Sequence, residues 1–203
     1  MKGLYLVTPD WDDTDKLIAA SEQAIAGGAS MLQYRHKTAS DALRAEQAAA
    51  LLNLCRRLNI PLIINDHLDL CDRIDADGIH VGGTDASVAE VRANIGKAKI
   101  VGASCYGDLQ LARDAAAAGA SYVAFGGFYP SRVKKYEVTT PPDIITRALS
   151  EIDLPLCVIG GMTPQNARSL IELGAHAVAA ISSVYAAADH RSAAAEFASL
   201  FRQ

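Results

Sequence analysis

Residues 156–183 read LCVIGGMTPQNARSLIELGAHAVAAISS. Four apolar residues, Leu156, Cys157, Val158 and Ile159, run into Gly160-Gly161. Pro164 stands where a helix start favours proline, and 164–173 carries a helical period. Gly174 follows at the place just past a helix where positive φ is wanted. Residues 177–181 are apolar again, and Ser182-Ser183 make a second small-residue turn. The stretch is one strand–helix–strand unit.

The same grammar extends in both directions. Strands are predicted at 4–7, 31–35, 62–65, 78–81, 100–103, 122–126, 156–159 and 177–181, with helical segments such as 14–26, 41–58, 109–118 and 164–173 between them. Gly28-Ala29-Ser30-Met31 and Gly119-Ala120-Ser121-Tyr122 repeat the joint seen at Gly174. The recurrence has no fixed period, so it is joint chemistry rather than a solenoid repeat. Strict alternation predicts an α/β fold with a parallel sheet. Eight such units in about 200 residues predict a (β/α)8 TIM barrel at the small end of its range, one catalytic domain over 1–203. An open doubly wound sheet is the alternative. No G-x-G-x-x-G follows the first strand, and the last two strands end in Gly160-Gly161 and Ser182-Ser183, where barrels build a phosphate site with a short extra helix. Residues 182–187 could supply that helix before a final one at 192–201.

Composition narrows the function classes. At 203 residues and 50% hydrophobic, the chain can bury roughly 70% of its unfolded surface without staples. Cys55, Cys71, Cys105 and Cys157 lie far apart with no C-x-x-C pair, which predicts a reducing cytoplasm rather than zinc or disulfides. Cys157 reads as a small buried hydrophobe. The N-terminal strand is too short for a signal sequence, and no apolar run reaches the length of a membrane span. With 19 basic and 23 acidic residues the net charge is −4, and no Lys/Arg stripe suggests nucleic acid. Cations gather locally at Arg35-His36-Lys37 and at 132–135, which suits small phosphorylated ligands. Assembly into a homo-oligomer stays open.

In a parallel barrel the C-terminal strand ends share one mouth. In Met31-Leu32-Gln33-Tyr34-Arg35-His36-Lys37, Leu32 and Tyr34 fall on one face and Gln33, Arg35 and Lys37 on the other. The outer face lies under helices, so Gln33 and Arg35 are expected inside, near the top, as an amide and a cation able to hold phosphate; a solvated edge strand is the alternative. Asn65-Asp66 after strand 3 is either a turn or helix cap or a ligand pair, and Asp85 could equally cap a helix starting near Ser87. On neighbouring strands the two aspartates can converge on Mg²⁺, which takes one or two carboxylates plus waters and phosphates. His80 is expected as a packed, hydrogen-bonded core histidine. Ser104 is a cap or a ligand. The polar segment 126–142 reads as a mobile loop over the mouth, with a plain surface loop as the alternative. Gly160-Gly161 would offer backbone N–H groups to an anion beside a helix N-terminus.

Gln33-x-Arg35-x-Lys37, Ile64-Asn65-Asp66, Gly78-Ile79-His80-Val81-Gly82, Gly102-x-Ser104 and Gly161…Ile181-Ser182 together resemble the thiamine-phosphate synthase family over almost the whole chain. The resemblance implies that 4-amino-5-hydroxymethyl-2-methylpyrimidine diphosphate and a thiazole phosphate combine to thiamine phosphate and pyrophosphate by dissociative substitution. It assigns Gln33, Arg35, Lys37, Asn65, Ser104 and Lys134 to the pyrimidine diphosphate, with Arg35, Ser104 and Lys134 as the catalytic set. Asp66 and Asp85 would hold Mg²⁺, and Ser131, Val133, Gly161, Ile181 and Ser182 would line the thiazole-phosphate site. Such chemistry needs no nucleophilic side chain, and no Ser-His-Asp or Cys-His set is visible. A thiazole tautomerase should lack the aspartates, and a non-catalytic phosphate-binding barrel would not need both with Lys134.

The chain departs from the family pattern at Gly83 (often Gln), Tyr106 (often His or another polar residue), and Ser131 and Val133 (usually Thr-x-Thr). Val133 keeps the shape of Thr but lacks its donor. A hydrogen bond to a charged group contributes about 1.5–3 kcal/mol, which neighbouring Lys134, Lys135 and Gly161 partly replace. Val133→Thr is therefore expected to lower the KM for the thiazole phosphate by up to about tenfold, 1.4 kcal/mol being one decade. Steady-state kinetics varying each substrate separately check this, and the KM of the pyrimidine diphosphate should hardly move.

Overall fold

Strand β1 (Gly3–Val7) pairs in parallel with β2 (Ala29–Tyr34) on one side and with β8 (Ala177–Ala180) on the other, so the sheet closes. Between them β3 (Leu62–Asn65), β4 (Gly78–Gly82), β5 (Ile100–Tyr106), β6 (Tyr122–Gly126) and β7 (Leu156–Ile159) follow in chain order, all parallel. This eight-stranded TIM barrel is the predicted architecture, and closure removes every sheet edge. The computed structural model describes residues 1–82, 86–130 and 140–202. Helices α1 (Thr14–Ala26), α2 (Asp41–Leu58), α3 (Leu68–Arg73), α4 (Val88–Ile95), α5 (Leu109–Ala117), α6 (Ile144–Glu151) and α7 (Pro164–Glu172) each follow a strand, and α8 (Ser182–Tyr185) and α9 (His190–Ser199) close the chain. None of these helices among the described residues is long and apolar enough to cross a membrane.

Alternation along each strand divides the core in two. On β1, Leu4 and Leu6 belong to the outer cluster that the helices share, while Tyr5 and Val7 face inward. The inner cluster of Tyr5, Val7, Met31, Ile63, Tyr122, Ala124, Cys157, Ala177 and Ala179 contains no helix residue, as expected of the barrel interior. Leu32 and Tyr34 belong to the outer cluster, the predicted arrangement. All four cysteines are free and buried, Cys157 within the barrel.

Several element ends differ from the sequence reading. Strand β2 stops at Tyr34 and not at Arg35, because the Arg35 N–H donates to Thr8 Oγ1 at 2.8 Å while the Thr8 hydroxyl donates to the Arg35 carbonyl at 2.9 Å. A side chain thus takes over the ladder bonds. Strand β8 ends before Ile181, whose carbonyl accepts from Val184 and Tyr185 and so opens α8 rather than extending the strand. The extra helix is four residues long, shorter than 182–187. Helix α9 begins at His190, two residues early, because Asp189 accepts from the Ser192 N–H as its cap. Strand β5 runs three residues past the expected Ala103.

The interior leaves no spare room at Gly102. A Cβ there would lie 2.1 Å from Tyr122 Cζ, an overlap that must displace the ring or the strand. Overpacking of this kind costs about 1–3 kcal/mol. Gly102→Ala is therefore expected to lower Tm by roughly 2–12 °C, at 2–4 °C per kcal/mol for a chain of this size. Thermal melts followed by circular dichroism measure it.

Candidate active site

The charged side of the mouth is built on β2, β3 and the loop after β1. Arg35 and Lys37 lie just beyond β2 rather than on it. The Arg35 guanidinium donates to Asp10 Oδ1 at 3.2 Å, and the Lys37 backbone N–H donates to the same oxygen at 3.0 Å. Asp10 therefore pins both halves of the cationic segment. The Lys37 ammonium contacts the Asp66 carboxylate, which also accepts from Asn65 Nδ2 at 2.8 Å. Arg35, Lys37, Asn65 and Asp66 are thus connected at one rim, with Gln33 buried below them on β2. Asp10 was not among the predicted residues, because the strand ends were read only from the second strand onward. The same reading applied to β1 would have found an acid two residues beyond Thr8.

The capping alternatives can now be separated. Helix α3 has His67 as N-cap and no side-chain cap bond, so the Asp66 carboxylate does not cap it. Asp66 has φ +66°, the left-handed region that Asp and Asn tolerate best among side-chain-bearing residues. Its N–H donates to the His80 carbonyl at 2.9 Å, tying the end of β3 to β4. Helix α4 is capped by Ser87 in a capping box with Glu90, so it does not depend on Asp85 for a cap. Ser104 is not a cap either, since Asp108 caps α5. Asp85, Ser131, Val133 and Lys134 lie outside the described residues, as does Gly83 and most of the segment expected to form a loop over the mouth. That segment's return is described: Thr140 is buried, and its hydroxyl donates to the Gly126 carbonyl at 2.5 Å.

Beneath the rim a polar chain runs through the barrel interior. Gln33 Nε2 donates to Tyr5 Oη at 2.7 Å, and the Tyr5 and Tyr122 hydroxyls are 2.8 Å apart. Tyr122 Oη lies 2.8 Å from His80 Nδ1, and His80 Nε2 lies 2.8 Å from Ser104 Oγ. Tyr122 stacks on the imidazole and meets Tyr5 edge-on. Burial pushes both phenols above the ordinary tyrosine range, so each keeps its proton. His80 is packed and hydrogen-bonded as predicted, and it also reaches the Ser104 hydroxyl at the mouth. Past Ser104 the strand bulges, and Tyr106 ends it in the left-handed region at φ +52°, 40% exposed.

The opposite side of the mouth is made of small residues. Gly160 and Gly161 both have positive φ, and a Cβ on Gly161 would sit 2.2 Å from the Pro130 carbonyl oxygen. Asn166 fixes this turn, donating from Nδ2 to the Gly161 carbonyl at 2.9 Å while its Oδ1 accepts from the Thr163 N–H at 2.8 Å. Ile181 and Ser182 begin α8 after β8, beside β7 in the barrel. Gly161, Ile181 and Ser182 therefore occupy neighbouring strand ends, across from the charged rim. Among the described residues no group of three or more His, Cys, Asp or Glu forms a ready metal cage.

Residues 4–184 match the family described as thiamine monophosphate synthase. The chain is 65% identical over 201 residues to a thiamine-phosphate synthase of Janthinobacterium sp. (strain Marseille), covering 99% of this chain and 97% of that one. It is 45% identical to a thiamine-phosphate synthase of Nitrosospira multiformis, again over 99% of this chain and 86% of the relative. The solved structure of a thiamine phosphate pyrophosphorylase from Pyrococcus furiosus superposes with a TM-score of 0.85 at 27% identity, covering 98% of this chain and 95% of that one.

The backbone at Asp66 separates two substitutions. Asn tolerates φ +66°, whereas Ala there costs about 1–2 kcal/mol. Asp66→Ala is expected to lower Tm by roughly 2–8 °C and Asp66→Asn by no more than about 2 °C. Equal losses in the two melts would mean that the carboxylate itself, rather than the backbone, carries the stability.

Proposed function

This chain belongs to the thiamine monophosphate synthase family, and on that premise we propose how its barrel mouth carries out the reaction. It is a transferase of thiamine biosynthesis. The reaction joins 4-amino-5-hydroxymethyl-2-methylpyrimidine diphosphate to 4-methyl-5-(2-hydroxyethyl)thiazole phosphate, giving thiamine phosphate and pyrophosphate. The observation that carries the site reading is the pairing of the Lys37 ammonium with the Asp66 carboxylate beside Arg35. Two cations and a carboxylate meet just beyond the adjacent strands β2 and β3, an arrangement suited to a metal-bound diphosphate.

Arg35, Lys37, Asn65 and Ser104 hold the diphosphate, and Gln33 borders the pyrimidine pocket from below. Lys134 adds a cation from outside the described residues. Lys37 would give up its pairing with Asp66 for a phosphate oxygen, and Asp66 together with Asp85 would be the carboxylates that hold the metal. The donor set fits Mg²⁺, which takes one or two carboxylates and completes its shell with water and phosphate. When bound, Mg²⁺ stabilises the negative charge that gathers on departing pyrophosphate.

The bond between the pyrimidine methylene carbon and the diphosphate oxygen breaks with its electron pair leaving on pyrophosphate. The thiazole nitrogen then donates its lone pair to the resulting pyrimidine-stabilised cation. Gly161, Ile181 and Ser182, with Ser131 and Val133, hold the thiazole phosphate and so place that nitrogen within attacking distance. No covalent enzyme intermediate is needed. The cysteine thiols are poor candidates for one in any case: burial pushes Cys71 up to about 11 and Cys55, Cys105 and Cys157 up to about 12. Free, buried cysteines also support a reducing cytoplasm as the working compartment, with small phosphorylated molecules as the ligands.

Incubated with both substrates and Mg²⁺, the protein should form thiamine phosphate, read by mass spectrometry. EDTA should abolish product and added Mg²⁺ restore it. Asp66→Asn should lower turnover roughly 100-fold or more, the scale for losing one electrostatic element of a transition-state site. Undiminished turnover in metal-free buffer would remove Mg²⁺ from the mechanism.

A further inference from the structure

We propose that His80 is a positioning residue: a one-way hydrogen-bond chain from Gln33 through Tyr5, Tyr122 and His80 makes Ser104 Oγ an acceptor on its buried side, leaving the hydroxyl proton to point into the mouth. The proposal rests on the reading of Ser104 as a ligand of the diphosphate, and it adds the reason why that hydroxyl donates.

The direction follows from proton counting. An amide nitrogen only donates, so with Gln33 Nε2 at 2.7 Å the Tyr5 oxygen accepts. Tyr5 then has one proton to give, and its other neighbour is Tyr122 Oη at 2.8 Å. Tyr122, having accepted, gives its own proton to His80 Nδ1. A neutral imidazole that accepts at Nδ1 carries its hydrogen on Nε2, and that atom faces Ser104 Oγ at 2.8 Å. The serine accepts there, and its single proton is left for the mouth. Both phenols are buried with their ionisation suppressed, so neither leaves the chain by losing its proton. The reverse polarity has a distinct consequence. If the Gln33 amide were turned so that its oxygen accepted from Tyr5, every bond would reverse and Ser104 would donate to His80. Its lone pairs would then face the substrate anion, a repulsive contact.

Two glycines make room for the chain. A Cβ on Gly102 would overlap the Tyr122 ring at 2.1 Å, and a Cβ on Gly82 would stand 2.6 Å from Ser104 Cβ. The ring can reach His80, and the serine can sit beside it, only because both positions lack side chains. Chains of this kind polarise one another, so their effect is read best as coupling between residues rather than as single deletions.

Two measurements test it. In the unaltered protein labelled with ¹⁵N-histidine, the His80 signals, assigned by their loss in His80→Gln, should report an unprotonated Nδ1 and a protonated Nε2. In kinetics, Tyr122→Phe removes the donor to Nδ1 while keeping the ring, and should lower kcat about 2–10-fold, the range for one hydrogen bond, with the KM for thiazole phosphate unchanged. In a Ser104→Ala background the same substitution should have less than about a twofold effect, since nothing is left to orient. A protonated Nδ1, or effects of Tyr122→Phe and Ser104→Ala that simply multiply, overturns the proposal while leaving the site reading intact. Unchanged kinetics for Ser104→Ala alone overturns both. The spectrum needs no variant that might fail to fold beyond the one used for assignment, which keeps the test open if Tyr122→Phe proves unstable.

Discussion

A phenol shut inside a closed barrel has no water to bond, and leaving its hydroxyl without a partner costs about 1–3 kcal/mol. Tyr5 and Tyr122 are each 1% exposed and fill the interior that smaller residues would leave hollow. Their hydroxyls can be satisfied only by groups that other strands send inward. β1 and β6 supply the two rings, β2 supplies Gln33, β4 supplies His80 and β5 supplies Ser104. The need to satisfy two buried phenols thus joins five of the eight strands in one polar column. Packing in the middle of the barrel and the direction of a hydroxyl at its mouth become one problem.

Closure also decides how the two halves of the mouth relate. Because β8 pairs with β1 and β1 with β2, the small-residue ends of β8 and β7 are carried round to within two and three strands of the cationic segment after β2. An anion on each side can therefore approach the same central space. The cations on the charged side are each paired with a carboxylate. Asp10 holds Arg35, and Asp66 holds Lys37. In a chain of net charge −4 these carboxylates keep the cationic segment extended toward the mouth. Each pair joins one largely buried side chain to a more exposed partner: Arg35 is 12% exposed against 36% for Asp10, and Asp66 16% against 48% for Lys37.

The architecture was legible because it is written in local chemistry: apolar runs, helical periods and the glycine just past each helix recur along the chain. The gathering of candidate residues at one end of the barrel was legible where residue type and strand end coincided, as at Gln33, Lys37 and Asn65. Arg35 shows where such reading stops. Its backbone leaves the ladder for the Thr8 hydroxyl, 27 positions away in sequence, and no local pattern records that exchange. His80 was legible as a packed histidine but not as part of a chain, because its partners Tyr122 and Ser104 are 42 and 24 positions distant. Asp66 was ambiguous for a different reason. In a βα unit the end of the strand is also the approach to the next helix, so an Asp there serves a cap and a ligand equally well on paper.

What resolves Asp66 is the backbone, and the resolution says something about how the mouth is maintained. Of the four described non-glycine residues with positive φ, Asn59 caps α2 at its C-terminus and Asp75 lies just past α3, where left-handed geometry is ordinary. Asp66 and Tyr106 instead lie at the C-terminal ends of β3 and β5, facing the mouth. The left-handed turn at Asp66 lets its N–H bond the His80 carbonyl, and it delays α3 until Leu68, behind a His67 cap with no side-chain bond. A Ser, Thr or Asp cap contributes about 1 kcal/mol where one is made. α3 forgoes that contribution, and its nearest carboxylate stays turned toward Lys37. Helix α4, on the next unit, has its own Ser87–Glu90 box and makes no such sacrifice. Among the described helices α6 and α8 also start without a side-chain cap bond, so what sets α3 apart is that the acid before it is turned to Lys37 and held there by a left-handed backbone.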